Sequence, residues 1–384
     1  MLLDIKRLGG YSIVEKRPTV AIVDRSAIRH NFKKIREKIL PDTKILAVVK
    51  ADAYGHGAVE VARVLESIGC DFFGVALCEE GIELRKAGIK TPIVVLGGSY
   101  PGQPKELLLY NLTPVVFDTD TALLLNKHAK KSRAVIKIHV KVDTGMGRLG
   151  FLPHQIGPFL KKLKGLENIE LEGILSHFAE VDEENKSYSK KQLDCFLDVL
   201  DVVKKMNYKP KFAHMANSAA IVDYPSAHFN LVRPGIMLYG SYPNNRFKDK
   251  IDLRAAMKLK TQVIQLKRVS SGFPVSYGRR YVTDKDTIIA TIPIGYGDGY
   301  PRCLSESGDM LVRGKRARVI GMVCMDLTML DVSDIDGVNV GDEVVVMGSQ
   351  NEEEITADDI AERAGMISYE VLCGISKRVP RVYI

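Results

Sequence analysis

The sequence predicts an α/β protein: an N-terminal TIM-type (β/α)8 barrel followed by a C-terminal mostly-β domain. Three observations predict it. From about residue 19 to 240, short β-branched runs alternate with amphipathic helical patterns, and about eight such β-then-α units is the count of a barrel. After Leu253 the pattern changes to strand runs separated by turn residues, with one short helix. No GxGxxG follows the first strand, so a doubly wound dinucleotide-binding sheet loses its main support. The barrel is assigned to residues 1–242, with an N-terminal strand that could join the second domain. The β domain is assigned to residues 253–384, and the polar stretch Tyr242–Asp252 is read as the linker.

Taken in order, the barrel strands are expected at Lys44–Val49, Phe72–Ala76, Pro92–Leu96, Pro114–Phe117, Ala134–Val142, Leu171–His177, Lys211–His214 and Asn230–Val232. Their nearly continuous apolar character suits parallel strands covered on both faces. Helical patterns lie between them at Ser26–Lys38, Ala58–Ser67, Glu79–Lys86, Thr119–Lys130, Gln192–Lys205 and Asn217–Val222. In the second domain the strand runs are Met257–Val269, Thr287–Pro293, Arg316–Val323, Met329–Val332 and Glu343–Met347, with a helix around Thr356–Ala364.

Composition narrows the function. The chain has 384 residues, 46% hydrophobic and 27% charged, which excludes wholesale disorder and leaves material for a large core. No apolar run approaches the ~20 residues that span a bilayer. The start MLLDIKRLGG lacks a signal-peptide core, so a cytoplasmic location is expected. The net charge of +8 is scattered, with no basic stripe or aromatic interleaving, and nucleic-acid binding is not expected. A modest positive bias suits a small anionic ligand. The six cysteines form no CxxC pair and no zinc spacing, so reduced thiols and no metal site are expected.

The decisive segment is Val48-Val49-Lys50-Ala51-Asp52-Ala53-Tyr54-Gly55-His56-Gly57. A strongly apolar strand ends in a lysine, and barrel active sites lie at the C-terminal ends of strands. A lysine there, partly desolvated and near other cations, can lose its proton readily enough to bond covalently to a carbonyl group. The bland alternative is a strand-end lysine that reaches solvent.

AVVKADAYGHG resembles the pyridoxal-phosphate lysine motif of the alanine racemases. The likeness runs on in order through KVDTGMGRLGF (141–151), LSHFAEVD (175–182), HMANSAA (214–220), LVRPGIMLYG (231–240), VSYGRRY (275–281), IPIGYGDGY (292–300), CMD (324–326) and SYEV (368–371). The resemblance implies the fold above, pyridoxal 5'-phosphate as cofactor, racemisation of alanine supplying D-alanine for peptidoglycan, and a head-to-tail homodimer whose sites are shared between chains.

The resemblance also implies roles. Lys50 would hold the cofactor and act as one base, and Tyr277 would be the second base. A free tyrosine pKa of about 10 is too high near pH 7, so cationic neighbours must lower it, and His177, linked to Arg233, is the neighbour expected to do so. Tyr54, Ser218, Gly235, Ile236 and Tyr369 would bind the phosphate; Ser218 opens a predicted helix and Gly235-Ile236 follow a strand, so both places can present N–H groups. Arg233 would face the pyridine nitrogen. An arginine keeps its proton, so the nitrogen would accept a hydrogen bond and the ring would be a weaker electron sink than an acid there would make it.

Arg148 would hold the substrate carboxylate, with Lys141 carbamylated to brace it, since an unmodified Lys141 would repel the guanidinium. The Met325 backbone would meet the same carboxylate, and Tyr296 would narrow the entrance. Cys324 invites a thiol-base reading but is taken as packing. Gly297 stands where the family pattern leads one to expect a small residue, often alanine. Three rival readings are a non-catalytic pyridoxal-phosphate barrel, a decarboxylase of basic amino acids and a racemase for another small amino acid such as serine. The first lacks a second domain, and the second needs an acidic partner where Arg233 stands.

Overall fold

Eight short strands run parallel in sequence order: Lys44–Val48, Phe72–Val75, Ile93–Val95, Leu112–Val116, Ile136–Lys141, Ile169–Leu175, Phe212–His214 and Leu231–Val232. The eighth pairs back onto the first, Lys44 opposite Leu231 and Ile45 opposite Val232, which is the arrangement of a barrel. The computed structural model describes residues 17–384. The chain divides into two compact units, residues 23–256 with 383–384, and residues 257–382 with 17–22.

Every strand start agrees with the sequence pattern to within two residues, because most of the strands are largely apolar runs buried on both faces. The seam between the seventh and eighth strands is closed by a side chain. Asn230 accepts from the Ala213 N–H at 2.9 Å and donates to the Lys211 carbonyl at 2.7 Å, imitating a ladder pair where the strands are too short to form one.

Helices cover the strands, among them Arg25–Arg36, Ala58–Ser67, Cys78–Lys86, Thr119–Lys131 and Ser187–Lys205. Asp24 and Asp118 cap two of them by accepting first-turn N–H groups. The helix predicted from Gln192 begins at Ser187, because its first turn is polar and carries no apolar period. The helices Pro104–Leu109 and Pro153–Leu163 were not expected; each opens on a proline at its first position. The polar stretch Tyr242–Asp252 packs on the barrel: Phe247 is fully buried, and Lys250 and Arg246 reach Asp223 at 2.6 and 2.9 Å.

The second unit is built on a ten-stranded antiparallel-rich sheet. Met257–Val269, expected as one strand, is two: Met257–Gln262 pairs with Glu343–Gln350, and Gln265–Val269 pairs with Thr287–Ile292. The break falls at Val263-Ile264, where the backbone changes partner, Val263 N–H donating to Asp342 and Ile264 N–H to Thr291. Val20–Val23 and Arg381–Tyr383 also join this sheet. A separate ribbon, Pro274–Val275 with Tyr281–Val282, carries the turn Tyr277–Arg279. No helix among the described residues is long and apolar enough to cross a membrane.

Candidate active site

Lys50 does not end a strand. The first strand stops at Val48, and Lys50 opens a turn in which Ala51, Asp52, Ala53 and Tyr54 all have φ between 52° and 54°. This is the left-handed helical region, which costs a non-glycine residue about 1 to 2 kcal/mol. The turn therefore persists only because its surroundings hold it. Glu80 accepts the Ala51 N–H at 2.6 Å, and with its other oxygen accepts Ala76 and Leu77 N–H at 2.7 and 3.0 Å. Asp52 accepts the Ala58 N–H at 2.7 Å, capping the next helix. Tyr54 lies beneath, its ring centroid 5.0 Å from that of Tyr239, whose hydroxyl donates to the Val48 carbonyl.

Tyr54 leads to the loop after the eighth strand. The Gly235 N–H donates to Ser218 Oγ at 2.9 Å. A Cβ on Gly235 would come within 2.6 Å of Tyr54 Oη, so only glycine lets this hydroxyl approach the backbone. Ser218 begins the helix Ser218–Asp223, and Ile236 begins a buried 3-10 turn. Tyr54, Ser218, Gly235 and Ile236 thus bring N–H and O–H groups together in one small region.

Arg233 is buried and touches no carboxylate. It donates to His214 Nδ1 at 2.9 Å, to the Ser176 and Met215 carbonyls at 2.7 and 3.0 Å, and to His177 Nδ1 at 3.1 Å. Burial pushes the guanidinium down to about 9. His214 Nε2 in turn meets His139 Nδ1 at 2.8 Å, and Glu172 lies 3.4 Å beyond. Burial alone would raise the Glu172 carboxyl, but His139 and Lys137 bring it down to about 2.

His177 departs from expectation. Burial first, then Arg233, Arg148, Lys141 and Lys50, hold its imidazole well below the ordinary value. It is therefore a neutral ring at pH 7 and not the cationic neighbour that the sequence suggested. The cation behind it is Arg233.

Lys141 and Arg148 are linked by one loop. Asp143 gathers the N–H groups of Gly145, Met146, Gly147 and Arg148 at 2.8 to 3.1 Å, folding the glycine-rich segment so that Arg148 stands close to Lys141. Burial, Arg148 and Arg233, with Lys50 adding to them, push the Lys141 ammonium down to about 8. Lys50, Lys141, Arg148, His177 and Arg233 thus converge at the C-terminal rim of the barrel, a basic cluster suited to anions.

Tyr277, Tyr296 and Met325 lie in the second unit, where Ser276, Tyr296 and Gly297 are all hydrogen-bonded to the segment Met322–Met325. Ser276, held at φ 64°, donates from Oγ to the Met322 carbonyl at 2.7 Å. Tyr296 and Gly297 N–H donate to the Cys324 and Met325 carbonyls at 3.0 and 2.9 Å. The Tyr277 side chain is 73% exposed at the tip of its ribbon. Cys324 Sγ packs 3.4 Å from Ser276 Oγ. At Gly297 a Cβ would come within 2.3 Å of Arg378 Nη1, and Arg378 also pairs with Asp326 at 2.5 Å. Tyr369 is the second residue of the helix Ser368–Gly374. The sequence did not single out Glu80, Asp143 or His214. Asp143 had a signal in its Asp-Thr-Gly turn; Glu80 and His214 act only through tertiary contacts.

Two family models match the chain, "Alanine racemase, N-terminal domain" over residues 23–243 and "Alanine racemase, C-terminal domain" over residues 256–383. An alanine racemase of Halothermothrix orenii is 48% identical over 367 residues, covering 96% of this chain and 97% of the relative. One of Geobacter sulfurreducens is 44% identical over 375 residues, covering 97% and 98%. Among solved structures, alanine racemase of Clostridium difficile 630 is similar with a TM-score of 0.92 at 41% identity, covering 96% of both chains. That of Bacillus anthracis, with bound L-Ala-P, is similar with a TM-score of 0.91 at 38% identity, covering 96% and 95%.

Proposed function

The chain belongs to the alanine racemase family, and from that premise we propose that it interconverts L-alanine and D-alanine with pyridoxal 5'-phosphate as cofactor. The observation that carries the reading is the convergence of five basic groups beside a donor cradle at the barrel rim. The residues fit the cofactor. Ser218, the Gly235 and Ile236 backbone and Tyr54 bring together the N–H and O–H groups a phosphate needs, and a Cβ at Gly235 would crowd the Tyr54 hydroxyl out of this set. Tyr369 is the phenolic donor proposed to complete it.

Bound there, pyridoxal phosphate supplies the electron sink that makes an amino-acid Cα–H acidic. Lys50 would hold it through Nζ, and its amine would move the proton on one face of the substrate carbon. Tyr277 moves the proton on the other face. Arg148 and the Met325 N–H hold the substrate carboxylate, fixing the Cα–H between the two bases. Arg233 would serve the ring nitrogen and, being a donor only, would limit the sink and disfavour decarboxylation. Neutral His177 accepts from Arg233 at Nδ1, so its Nε2–H is available to a phenolate oxygen. Tyr296 narrows the entrance to a small side chain. A carbamate on Lys141 would turn a repulsive neighbour of Arg148 into an attractive one.

Because Tyr277 needs cationic neighbours to work near neutral pH, we place it against the barrel of a second copy, in a cytoplasmic homodimer with shared sites that supplies D-alanine to peptidoglycan synthesis. The test is an assay of purified protein against a panel of L-amino acids, reading D-product. Alanine should be turned over fastest. A clear preference for serine, or no D-product from any of them, would overturn the reading.

A further inference from the structure

We propose that Glu80 is a positioning residue for Lys50, a peg that holds the left-handed turn behind the lysine. The inference rests on the reading of Lys50 as the cofactor-bearing lysine. Four successive non-glycine residues, Ala51 to Tyr54, sit in the left-handed region. The backbone there would relax to ordinary conformations if nothing restrained it, and relaxation at Ala51 would swing the adjacent Lys50 side chain.

Restraint comes from both ends. At the far end, Asp52 accepts the Ala58 N–H, and the Gly57 N–H donates to the Asp52 carbonyl at 2.9 Å. At the near end, Glu80 Oε1 takes the Ala51 N–H at 2.6 Å. The same carboxylate caps the helix Cys78–Lys86 through Oε2, which takes the Ala76 and Leu77 N–H groups. One ion therefore ties the loop after the first strand to the loop after the second. A carboxylate suits the task because it is acceptor-only and offers both oxygens at once.

That division of labour lets the two roles be separated. In Glu80→Gln the amide oxygen can keep the helix cap, but the NH2 group then faces the Ala51 N–H, donor against donor. In Glu80→Ala both ties are lost. Glycine at position 51 would adopt the left-handed conformation without strain, which removes that residue's share of the cost the peg offsets.

The experiment compares wild-type holoenzyme with Glu80→Gln and with Glu80→Gln/Ala51→Gly. Amide hydrogen exchange should rise across residues 51–57 in Glu80→Gln while the helix Cys78–Lys86 stays protected. The kcat should fall by about 100-fold, the cost of misplacing a reacting group by about an ångström, with little change in KM. Adding Ala51→Gly should recover part of the loss. Unchanged exchange at residues 51–57, or a loss of kcat that Ala51→Gly does not lessen, would overturn the proposal. Borohydride reduction of the wild type that labels another lysine would overturn the reading of Lys50, and the exchange pattern would still decide whether Glu80 holds the turn.

Discussion

His177 Nδ1 lies 3.1 Å from the Arg233 guanidinium, and since a guanidinium can only donate, that ring nitrogen is the acceptor. The ring proton is therefore on Nε2, and the imidazole is neutral because burial and four surrounding cations oppose a further charge. Nitrogen NMR of the labelled histidines should report a neutral Nε2–H tautomer at pH 7. A doubly protonated ring would remove this account of how Tyr277 is activated.

Lys50→Ala should abolish racemisation, and the wild type should lose its visible absorption on borohydride treatment with the label on Lys50. Peptide mapping of the reduced protein decides it. Label on any other lysine would refute the assignment.

Arg233→Glu replaces a donor with a group that can share a proton with the ring nitrogen. Racemisation should fall by about 100-fold or more, and a new long-wavelength band should accumulate with substrate as the electron sink strengthens. Unchanged spectra would mean that Arg233 does not face the ring.

Lys141, with its ammonium pushed down to about 8, carries an appreciable neutral amine fraction under mildly alkaline conditions and can add CO2. Intact mass under non-acidic conditions should show one CO2 adduct that acid removes. Lys141→Met should raise KM for alanine more than it lowers kcat, because Arg148 loses its brace. Equal KM values would show that Arg148 stands without help.

The histidines also set a pH limit on the fold. His139, His177 and His214 are all held below the ordinary imidazole value, mainly by burial. Below about pH 6.5 the unfolded chain therefore binds more protons than the native one, so stability is lost as pH falls through that point. Glu172, at about 2 in the fold against an ordinary 4.5, adds a second loss below 4.5, where the unfolded chain takes up a proton that the folded carboxylate does not accept until about 2. Thermal midpoints measured down a pH series should fall in both windows; a flat series would contradict the burial of these charges.

Shared sites can be tested by refolding Lys50→Ala together with Tyr277→Phe. Random pairing leaves one intact site in each heterodimer and restores about a quarter of wild-type activity. Heterodimers confirmed by mass and still inactive would place both bases in one chain.

Much of this was readable in the chain itself. The β/α alternation, the run Lys44–Val48 and the grammar change after Leu253 are local signals, because burial of both strand faces and of one helix face leaves a period in the sequence. The motif around Lys50 likewise lay at the C-terminal side of the first barrel strand, which stops at Val48. What only the tertiary structure decided depends on groups far apart in sequence. Glu80 reaches from the helix after the second barrel strand to hold Ala51 in a conformation that alanine does not choose alone. Arg233 gathers carbonyls and imidazoles from two other loops, and burial there turns His177 neutral where a sequence suggests a cation. Backbone strain and desolvation are properties of the packed interior, and no local pattern of residue types encodes them.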